Sequence, residues 1–149
     1  MDKISIKKIN YLDTFPVRSA VLRQGKPIEM CSFIGDDAVD TTHFGLFIEN
    51  NIIGVASVFT SNNENFDNKT QLQLRGMAIL KEYQNMGYGK LLIEEIFNFI
   101  ESTQVELLWF NARETAVPFY EKLGCIKKGS SYEIPEIGTH FLMYKYFNN

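Results

Sequence analysis

The fold of this chain is decided by a short connection, KEYQNMGYGK, at residues 81–90. The segment before it, TQLQLRGMAIL, alternates between polar and apolar residues, which predicts a β-strand, and the segment after it, LLIEEIFNFIES, has the apolar spacing of a helix. This strand-to-helix connection contains two glycines, Gly87 and Gly89, one residue apart. Their position predicts a loop whose backbone is uncovered at the start of a helix.

An uncovered backbone at this point suits an anionic ligand. The first N–H groups of a helix have no partner within the helix, and the helix dipole is positive at that end. Gly87 and Gly89 lack the Cβ atoms that would keep an anion away, and Lys90 adds a cation, although a cation in the first turn opposes the dipole. The connection therefore predicts a phosphate or pyrophosphate cradle, with a tight structural turn as the alternative.

Two common nucleotide-binding motifs are absent from the chain. The pattern GxxxxGK[ST] does not occur, and Leu92 stands where the dinucleotide fingerprint has its third glycine. A nucleotide-binding protein of another kind stays as an alternative, but the missing lysine and threonine disfavour it.

The remaining sequence predicts strands and helices in alternation. Strands are predicted at residues 3–9, 42–60 (a hairpin with asparagine in its turn), 70–80, 105–112, 125–134 and 140–147, and helices at 14–23, 88–103 and 115–123. Residues 24–40 are a loop or a broken helix, and Gly124 is expected to end the last helix in a left-handed conformation. The order β-α-β-β-β-α-β-α-β-β predicts an α/β fold, a mixed sheet with helices on its faces.

Composition limits the classes of protein to consider. The 149 residues fit a single domain over residues 1–149. A net charge of -3 disfavours a nucleic-acid partner. No run of about 20 apolar residues is present, so no membrane partner is expected, and residues 1–10 have no signal-peptide core, which favours a cytoplasmic location. Cys31 and Cys125 are expected to be reduced, and neither they nor the two histidines have the spacing of a metal site.

Two linked motifs resemble the GNAT acyltransferase superfamily. QNMGYGK resembles its Q/R-x-x-G-x-G/A signature, and ARETAVPFYEKLGC resembles its second motif, in which a helix follows the next strand. The match is specific over residues 70–126. It implies the GNAT fold, in which a mixed, mostly antiparallel sheet is splayed between two parallel strands and flanked by helices.

The resemblance also implies an activity, which is transfer of an acetyl group from acetyl-CoA to a primary amine. Main-chain groups of Met77 and Ile79 would meet the pantetheine arm, and the amides of residues 85–90 would hold the pyrophosphate. The acceptor would be a small amine, or the N-terminus or a lysine of a protein. A small molecule is favoured because the net charge of -3 and the lack of extra modules give no sign of a docking surface. The cofactor-binding residues implied in this way are Met77, Ala78, Ile79, Gln84, Asn85, Met86, Gly87, Tyr88, Gly89, Lys90, Asn111, Arg113 and Phe119.

Tyr120 takes the position of a tyrosine that faces the CoA sulfur in many family members, which implies a general acid for the departing thiolate. The alternative is a packing aromatic on an amphipathic helix. Arg113 stands where the family often has an asparagine that contacts the cofactor, and Asn111 lies two residues earlier, so either could make that contact. Cys125 replaces a customary phenylalanine, with an expected effect on packing only.

An attacking amine must lose its proton, so a base is expected. The candidates are Glu29, Asp36, Asp37, His43 and His140. Of these, the two histidines are the catalytic candidates, with structural hydrogen bonding as the alternative for each. The acids could instead form a solvated loop, cap a helix or attract a cationic substrate.

The N-terminal half resembles a superfamily subgroup with a VLR…D…HFG pattern. The matching residues are Val21, Leu22, Arg23, Asp36 or Asp37, His43, Phe44 and Gly45. Arg18 and Arg23 could hold a substrate carboxylate or could be exposed helix charges. A catalytically inactive CoA-binding sensor of the same fold is the alternative function, and a homodimer is compatible with the superfamily.

Overall fold

The structure is a computed structural model that describes residues 3–24 and 27–147. The predicted order of elements is confirmed. The strands are β1 (Ile4–Ile9), β2 (Thr42–Ile48), β3 (Asn51–Thr60), β4 (Gln71–Ile79), β5 (Leu107–Arg113), β6 (Ile126–Ile134) and β7 (Gly138–Tyr146), and the helices are α1 (Phe15–Val17), α2 (Tyr88–Glu101) and α3 (Val117–Lys122).

Seven strands form one sheet in the order β1-β2-β3-β4-β5-β7-β6. The β1–β2, β2–β3, β5–β7 and β6–β7 pairs are antiparallel. The β4–β5 pair is parallel, and its register runs from Gln71–Leu107 to Gln73–Trp109. The sheet is therefore mixed and mostly antiparallel, as predicted.

The chain divides into two compact units. The N-terminal unit comprises Met1–Thr60 and Leu74–Phe99, and the C-terminal unit comprises Ser61–Gln73 and Ile100–Asn149. The single domain expected from the chain length stays a prediction.

The core of the N-terminal unit includes a cluster of Val17, Val55 and Ala78. On α2, Ile93 and Ile96 are completely buried and Phe97 is nearly so, as the apolar spacing predicted. The helix predicted at residues 14–23 is instead three consecutive turns, a 3₁₀ turn at Tyr11–Thr14, α1, and a π-helical stretch at Arg18–Leu22. Pro16 lies in the first turn of α1, where its missing N–H costs little.

The β2–β3 hairpin corrects one prediction. The residue with positive φ in its turn is Glu49, at 58°, and not an asparagine. The N–H of Glu49 donates to the carbonyl of Lys3 at 2.7 Å, and its Oε1 accepts from the N–H of Lys3 at 3.1 Å. These two bonds to the start of β1 offset the strain of a left-handed non-glycine residue.

The core of the C-terminal unit includes Phe66, Leu107, Trp109 and Leu142. Gln71 is buried and fixes the polar loop before β4. Its Oε1 accepts from the N–H of Asn63 at 2.8 Å, and its Nε2 donates to the carbonyl of Asn68 at 3.0 Å. A buried amide needs such partners, so Gln71 determines the path of this loop.

After α3, Gly124 has φ 92°, which confirms the left-handed cap. Both cysteines are buried free thiols.

Candidate functional site

In the N-terminal unit, Gln84 ties the loop after β4 back to its strand. Its Nε2 donates to the carbonyl of Ile79 at 2.8 Å. The intervening residues form a single 3₁₀ turn, Lys81–Tyr83. The glutamine of the QxxGxG motif therefore fixes the start of the loop in this chain.

Two residues of this loop have left-handed backbones. Asn85 has φ 63° and Gly87 has φ 88°. A Cβ built on Gly87 would meet no other atom within 4 Å, so the space beside its Cα is open. Gly89 is the second residue of α2, so its place is helical. The reversal of the chain depends on Asn85 and Gly87.

The loop leaves backbone donors uncovered at the start of α2. The first α-helical bond after the loop runs from the N–H of Leu91 to the carbonyl of Gly87 at 3.2 Å. The N–H groups of Tyr88, Gly89 and Lys90 precede that donor, so the helix offers them no carbonyl. Asn85, Met86 and Gly87 are exposed. Such a helix start, with its positive dipole, suits an anion.

The end of β4 holds the residues predicted to meet pantetheine. Met77 is partly buried, and Ala78 and Ile79 are buried. The Ile79 carbonyl already accepts from Gln84, and a carbonyl oxygen has a second lone pair for another donor.

Sequence reasoning missed Gly76, whose φ of 67° is left-handed within a strand. A Cβ at Gly76 would lie 2.8 Å from Cε2 of Phe33. The available signal was a glycine inside a strand pattern, which indicates a bulge or a close approach.

Arg18 and Asp36 form a buried ion pair. Nη1 of Arg18 lies 2.7 Å from Oδ2 of Asp36, and Nη2 lies 3.0 Å from Oδ1. Arg18 has no exposed surface and Asp36 is 4% exposed. The prediction of an exposed helix charge at Arg18 and that of a solvated carboxylate at Asp36 are both wrong. The reason is that each charge neutralises the other in the low-dielectric interior.

His43 completes this buried network. Its Nε2 lies 2.8 Å from the carbonyl oxygen of Asp36, which can only accept, so Nε2 carries the proton in this bond. Nδ1 lies 2.6 Å from Oγ of Ser57, which in turn accepts from Nη2 of Arg18 at 3.1 Å. In the tautomer with the proton on Nε2, Nδ1 accepts the Ser57 hydroxyl proton. Both nitrogens of His43 have structural partners.

The C-terminal unit holds Tyr120, on α3. Its side chain is 8% exposed, and its ring contacts those of Phe110 and Phe119 at centroid distances of 4.4 and 5.0 Å. Burial raises the pKa of Tyr120 well above its ordinary value, and Cys125 contributes to the same direction. Burial therefore disfavours the ionised form of the hydroxyl.

His140 is also in the C-terminal unit, on β7 between Arg113 of β5 and Tyr132 of β6. Its Nδ1 lies 2.9 Å from the carbonyl oxygen of Gly138 and must donate to it. The neutral ring therefore has its lone pair on Nε2. The His140 ring stacks on the ring of Tyr132, with 5.9 Å between the ring centroids. The Tyr132 hydroxyl in turn donates to Oδ1 of Asn111 at 2.5 Å.

The predicted residues fall into two groups, one in each unit. The N-terminal unit contains residues 77–90 and His43, and the C-terminal unit contains Asn111, Arg113, Phe119, Tyr120 and His140. Of the other base candidates, Glu29 and Asp37 are exposed on the loop before β2. Sequence reasoning also missed Ser57 and Tyr132, whose roles depend on cross-strand neighbours that no local pattern indicates.

Neither a metal-binding cluster nor a membrane-spanning helix is found in the described part of the chain. Residues 3–24 and 27–147 contain no group of three or more histidine, cysteine, aspartate or glutamate residues arranged to hold a metal ion. No helix among them is both long and apolar enough to span a bilayer.

Comparisons with known proteins identify the family of this chain. The family model described as "Acetyltransferase (GNAT) family" matches residues 9–125. The chain is 32% identical over 142 residues to an uncharacterized N-acetyltransferase, YitI, of Bacillus subtilis (strain 168), with 95% of each protein covered.

Solved structures share the fold. One is a GNAT-family acetyltransferase from Streptococcus pneumoniae, with a TM-score of 0.73 at 19% identity over 98% of this chain and 100% of that one. Another is the ribosomal-protein-S18-alanine N-acetyltransferase of Escherichia coli, with a TM-score of 0.73 at 19% identity over 100% of this chain and 96% of that one. At this identity they show the fold alone. With the family match over most of its length, the chain belongs to the GNAT acetyltransferase family.

Proposed function

We propose that the chain is an N-acetyltransferase that moves the acetyl group of acetyl-CoA to a primary amine, and that the acceptor is a small molecule. The observation that carries this proposal is the pair of left-handed residues, Asn85 and Gly87, beside open space at the start of α2. In a member of this family, such a loop is suited to a pyrophosphate.

The residues of the N-terminal unit fit the cofactor. The uncovered N–H groups of Tyr88, Gly89 and Lys90 suit the pyrophosphate, and main-chain groups of Met77 and Ile79 suit the pantetheine amides. Acetyl-CoA supplies the acetyl group in activated form, as a thioester. The chain's own residues then have to hold that group, take a proton from the amine and give one to sulfur.

Tyr120 is the proposed acid. The ordinary pKa of a tyrosine is about 10, so the phenol is protonated at neutral pH and can donate to the sulfur as the carbon–sulfur bond breaks. The proton that the phenol gives up is replaced from solvent after the transfer. The aromatic contacts with Phe110 and Phe119 hold the ring in one orientation.

His140 is the better of the two histidine candidates for the base. Its bond to Gly138 leaves the Nε2 lone pair to accept a proton from the amine, whereas both nitrogens of His43 have protein partners. The role of His43 is therefore proposed to be structural. Asn111 and Arg113 stay proposed cofactor contacts at the exposed end of β5.

The first experiment separates an enzyme from a CoA-binding sensor. Acetyl-CoA should raise the melting temperature of the protein, and ATP or NAD should not. Release of free thiol with a panel of amines then indicates transfer. A rise in melting temperature without thiol release for any amine would favour the sensor, and no rise at all would contradict the cradle.

Two variants test the proposed acid and base. Tyr120→Phe keeps the packing and should lower kcat by roughly a hundredfold with little change in acetyl-CoA affinity. His140→Asn keeps a donor near Gly138 and should lower kcat, because it removes the lone pair of Nε2 that would accept the amine proton. Wild-type kcat in either variant would make that residue structural.

A further inference from the structure

A cluster of three arginines surrounds one aromatic ring in the N-terminal unit. The guanidinium carbons of Arg18, Arg75 and Arg23 lie 3.9, 4.6 and 5.7 Å from the centroid of Phe33. We call these residues, together with Asp36, the Phe33 cluster. The guanidinium carbon of Arg75 also lies 5.4 Å from the centroid of the Phe59 ring.

The charges of the Phe33 cluster do not balance. Asp36 is its single carboxylate, and both oxygens of Asp36 bind Arg18. Nε of Arg23 donates to the carbonyl of Met30 at 3.1 Å, which neutralises no charge. Arg75 has no carboxylate partner within residues 3–24 and 27–147. Two positive charges are therefore left over.

The cluster is held rigidly. Nη1 of Arg18 donates to the carbonyl of Cys31 at 2.9 Å, and the N–H of Phe33 donates to Oδ2 of Asp36 at 2.8 Å. These bonds hold the backbone that leads into Phe33. Gly76 lets the ring approach β4, because any Cβ there would lie 2.8 Å from it. Arg75 is thus presented on a preformed surface.

Arg75 is in an unfavourable environment for a lone cation. Burial lowers its pKa, Asp36 partly opposes that change, and the positive charges of Arg18 and Arg23 lower the pKa further. Its side chain nevertheless stays partly exposed. A partly desolvated cation beside like charges gains stability when an anion binds.

The position of Arg75 relates the cluster to the transfer reaction. Arg75 lies two residues before Met77 on β4, which is roughly 7 Å along a strand. An anion on Arg75 would thus lie near the strand segment assigned to the pantetheine arm. The acceptor amine must also bind near this strand segment, because the acetyl group is at the end of the pantetheine arm.

We propose that Arg75, supported by Arg23, binds an oxyanion of the acceptor, so that the substrate is an amine that also carries a carboxylate or a phosphate. Arg18, Asp36 and His43 act as positioning residues that hold Phe33 beneath Arg75. The inference rests on the proposed function and narrows its substrate class. A guanidinium matches the two oxygens of either anion.

The test compares amines that carry an anionic group with close analogues that lack it. Each of a set of amino acids is assayed beside its C-terminal amide, and phosphoethanolamine is assayed beside ethanolamine, by thiol release from acetyl-CoA. In the wild type, at least one anionic member should exceed its neutral partner in kcat/KM by about tenfold or more. The amino acid pairs and the phosphoethanolamine pair separate carboxylate from phosphate.

The variant Arg75→Gln should bring the two members of each pair close to equal kcat/KM. Lys7→Gln is the matched control, because it also removes a cation that lies over an aromatic ring. Nζ of Lys7 is 4.6 Å from the centroid of the Phe47 ring, and the guanidinium carbon of Arg75 is 4.6 Å from the centroid of the Phe33 ring. The control should keep the wild-type preference. No preference in the wild type, or the same preference in Arg75→Gln, would overturn the inference.

A binding measurement separates this inference from the proposed function. The same amines are titrated calorimetrically into the protein, with and without CoA. If acetyl-CoA does not bind, the proposed function is wrong. In that case the titrations without CoA still show whether the protein binds anionic amines more tightly than neutral ones. If acetyl-CoA binds but anionic and neutral amines bind equally, the inference alone is wrong.

Discussion

Arg18 is a residue whose sequence neighbourhood gives no hint of its environment. Its helical segment reads as a surface helix, yet the side chain is completely buried and binds Asp36, Cys31 and Ser57. One of its atoms, Nε, is buried without a hydrogen-bond partner in the described chain. A buried arginine with an unpaired donor is tolerated because the two bonds to Asp36 and the Phe33 ring compensate for its lost hydration.

Replacing one partner of this ion pair should be far more harmful than replacing both. Arg18→Met or Asp36→Leu alone leaves an uncompensated buried charge, and each should lower the free energy of unfolding by about 3–5 kcal/mol. The double variant should lose clearly less than the sum of the two, as measured by urea unfolding. Additive losses would mean that the two side chains are not energetically coupled.

At the scale of elements, the loop before α2 depends on backbone conformation at Gly87. A Cβ there meets no protein atom, but the φ of 88° is one that other residues rarely adopt. Gly129, in β6, has φ 76° and likewise has no atom within 4 Å of a built Cβ. The two positions therefore impose a similar backbone constraint in different places.

Alanine variants of Gly87 and Gly129 distinguish the effect of backbone strain on stability from an effect on acetyl-CoA binding. Gly87→Ala and Gly129→Ala should each lower the free energy of unfolding by roughly 1–2 kcal/mol, because both require a left-handed alanine. Only Gly87→Ala should weaken acetyl-CoA binding in a calorimetric titration at a temperature where both variants are folded. Equal acetyl-CoA affinity in the two variants would argue against a cofactor contact at Gly87.

Most helices and strands could be predicted from the sequence, because the spacing of their apolar residues follows from which face they bury. Ile93, Ile96 and Phe97 have helical spacing, and a helix that buries one face must have such spacing. Positive φ at Glu49 was not predictable, since it depends on bonds to Lys3, 46 residues away. The loop motif and Tyr120 were found through linked motifs. The Phe33 cluster was not, because its members meet only after β4 packs beside the loop that carries Phe33.

At the scale of the whole molecule, the net charge of the chain does not determine the electrostatic potential at any one place on its surface. The chain carries a formal charge of -3, which disfavours a nucleic-acid partner. The Phe33 cluster nevertheless gathers three of the four arginines around one carboxylate. Local potential follows from the positions of charges within about a Debye length and not from their total.

The stability of the whole protein should fall in alkali, for a reason that lies in two buried groups. Burial raises the pKa of Cys125 from 9.0 to about 11, with Lys145 partly opposing it, and burial also raises the pKa of Tyr120. In each case the unfolded chain loses its proton at a lower pH than the folded chain. The stabilisation is therefore complete below pH 9 and is lost as the pH rises toward 11 and beyond.

Urea unfolding at a series of pH values measures this loss. The contribution of Cys125 should amount to about 2–3 kcal/mol by pH 11, since each unit of pKa shift corresponds to about 1.4 kcal/mol. Cys125→Ser should have a flatter profile between pH 9 and pH 11, because serine does not ionise there. Tyr120→Phe should instead flatten the profile above pH 10, where an unfolded tyrosine ionises. Profiles of wild-type slope in both variants would show that the alkaline loss arises elsewhere in the chain.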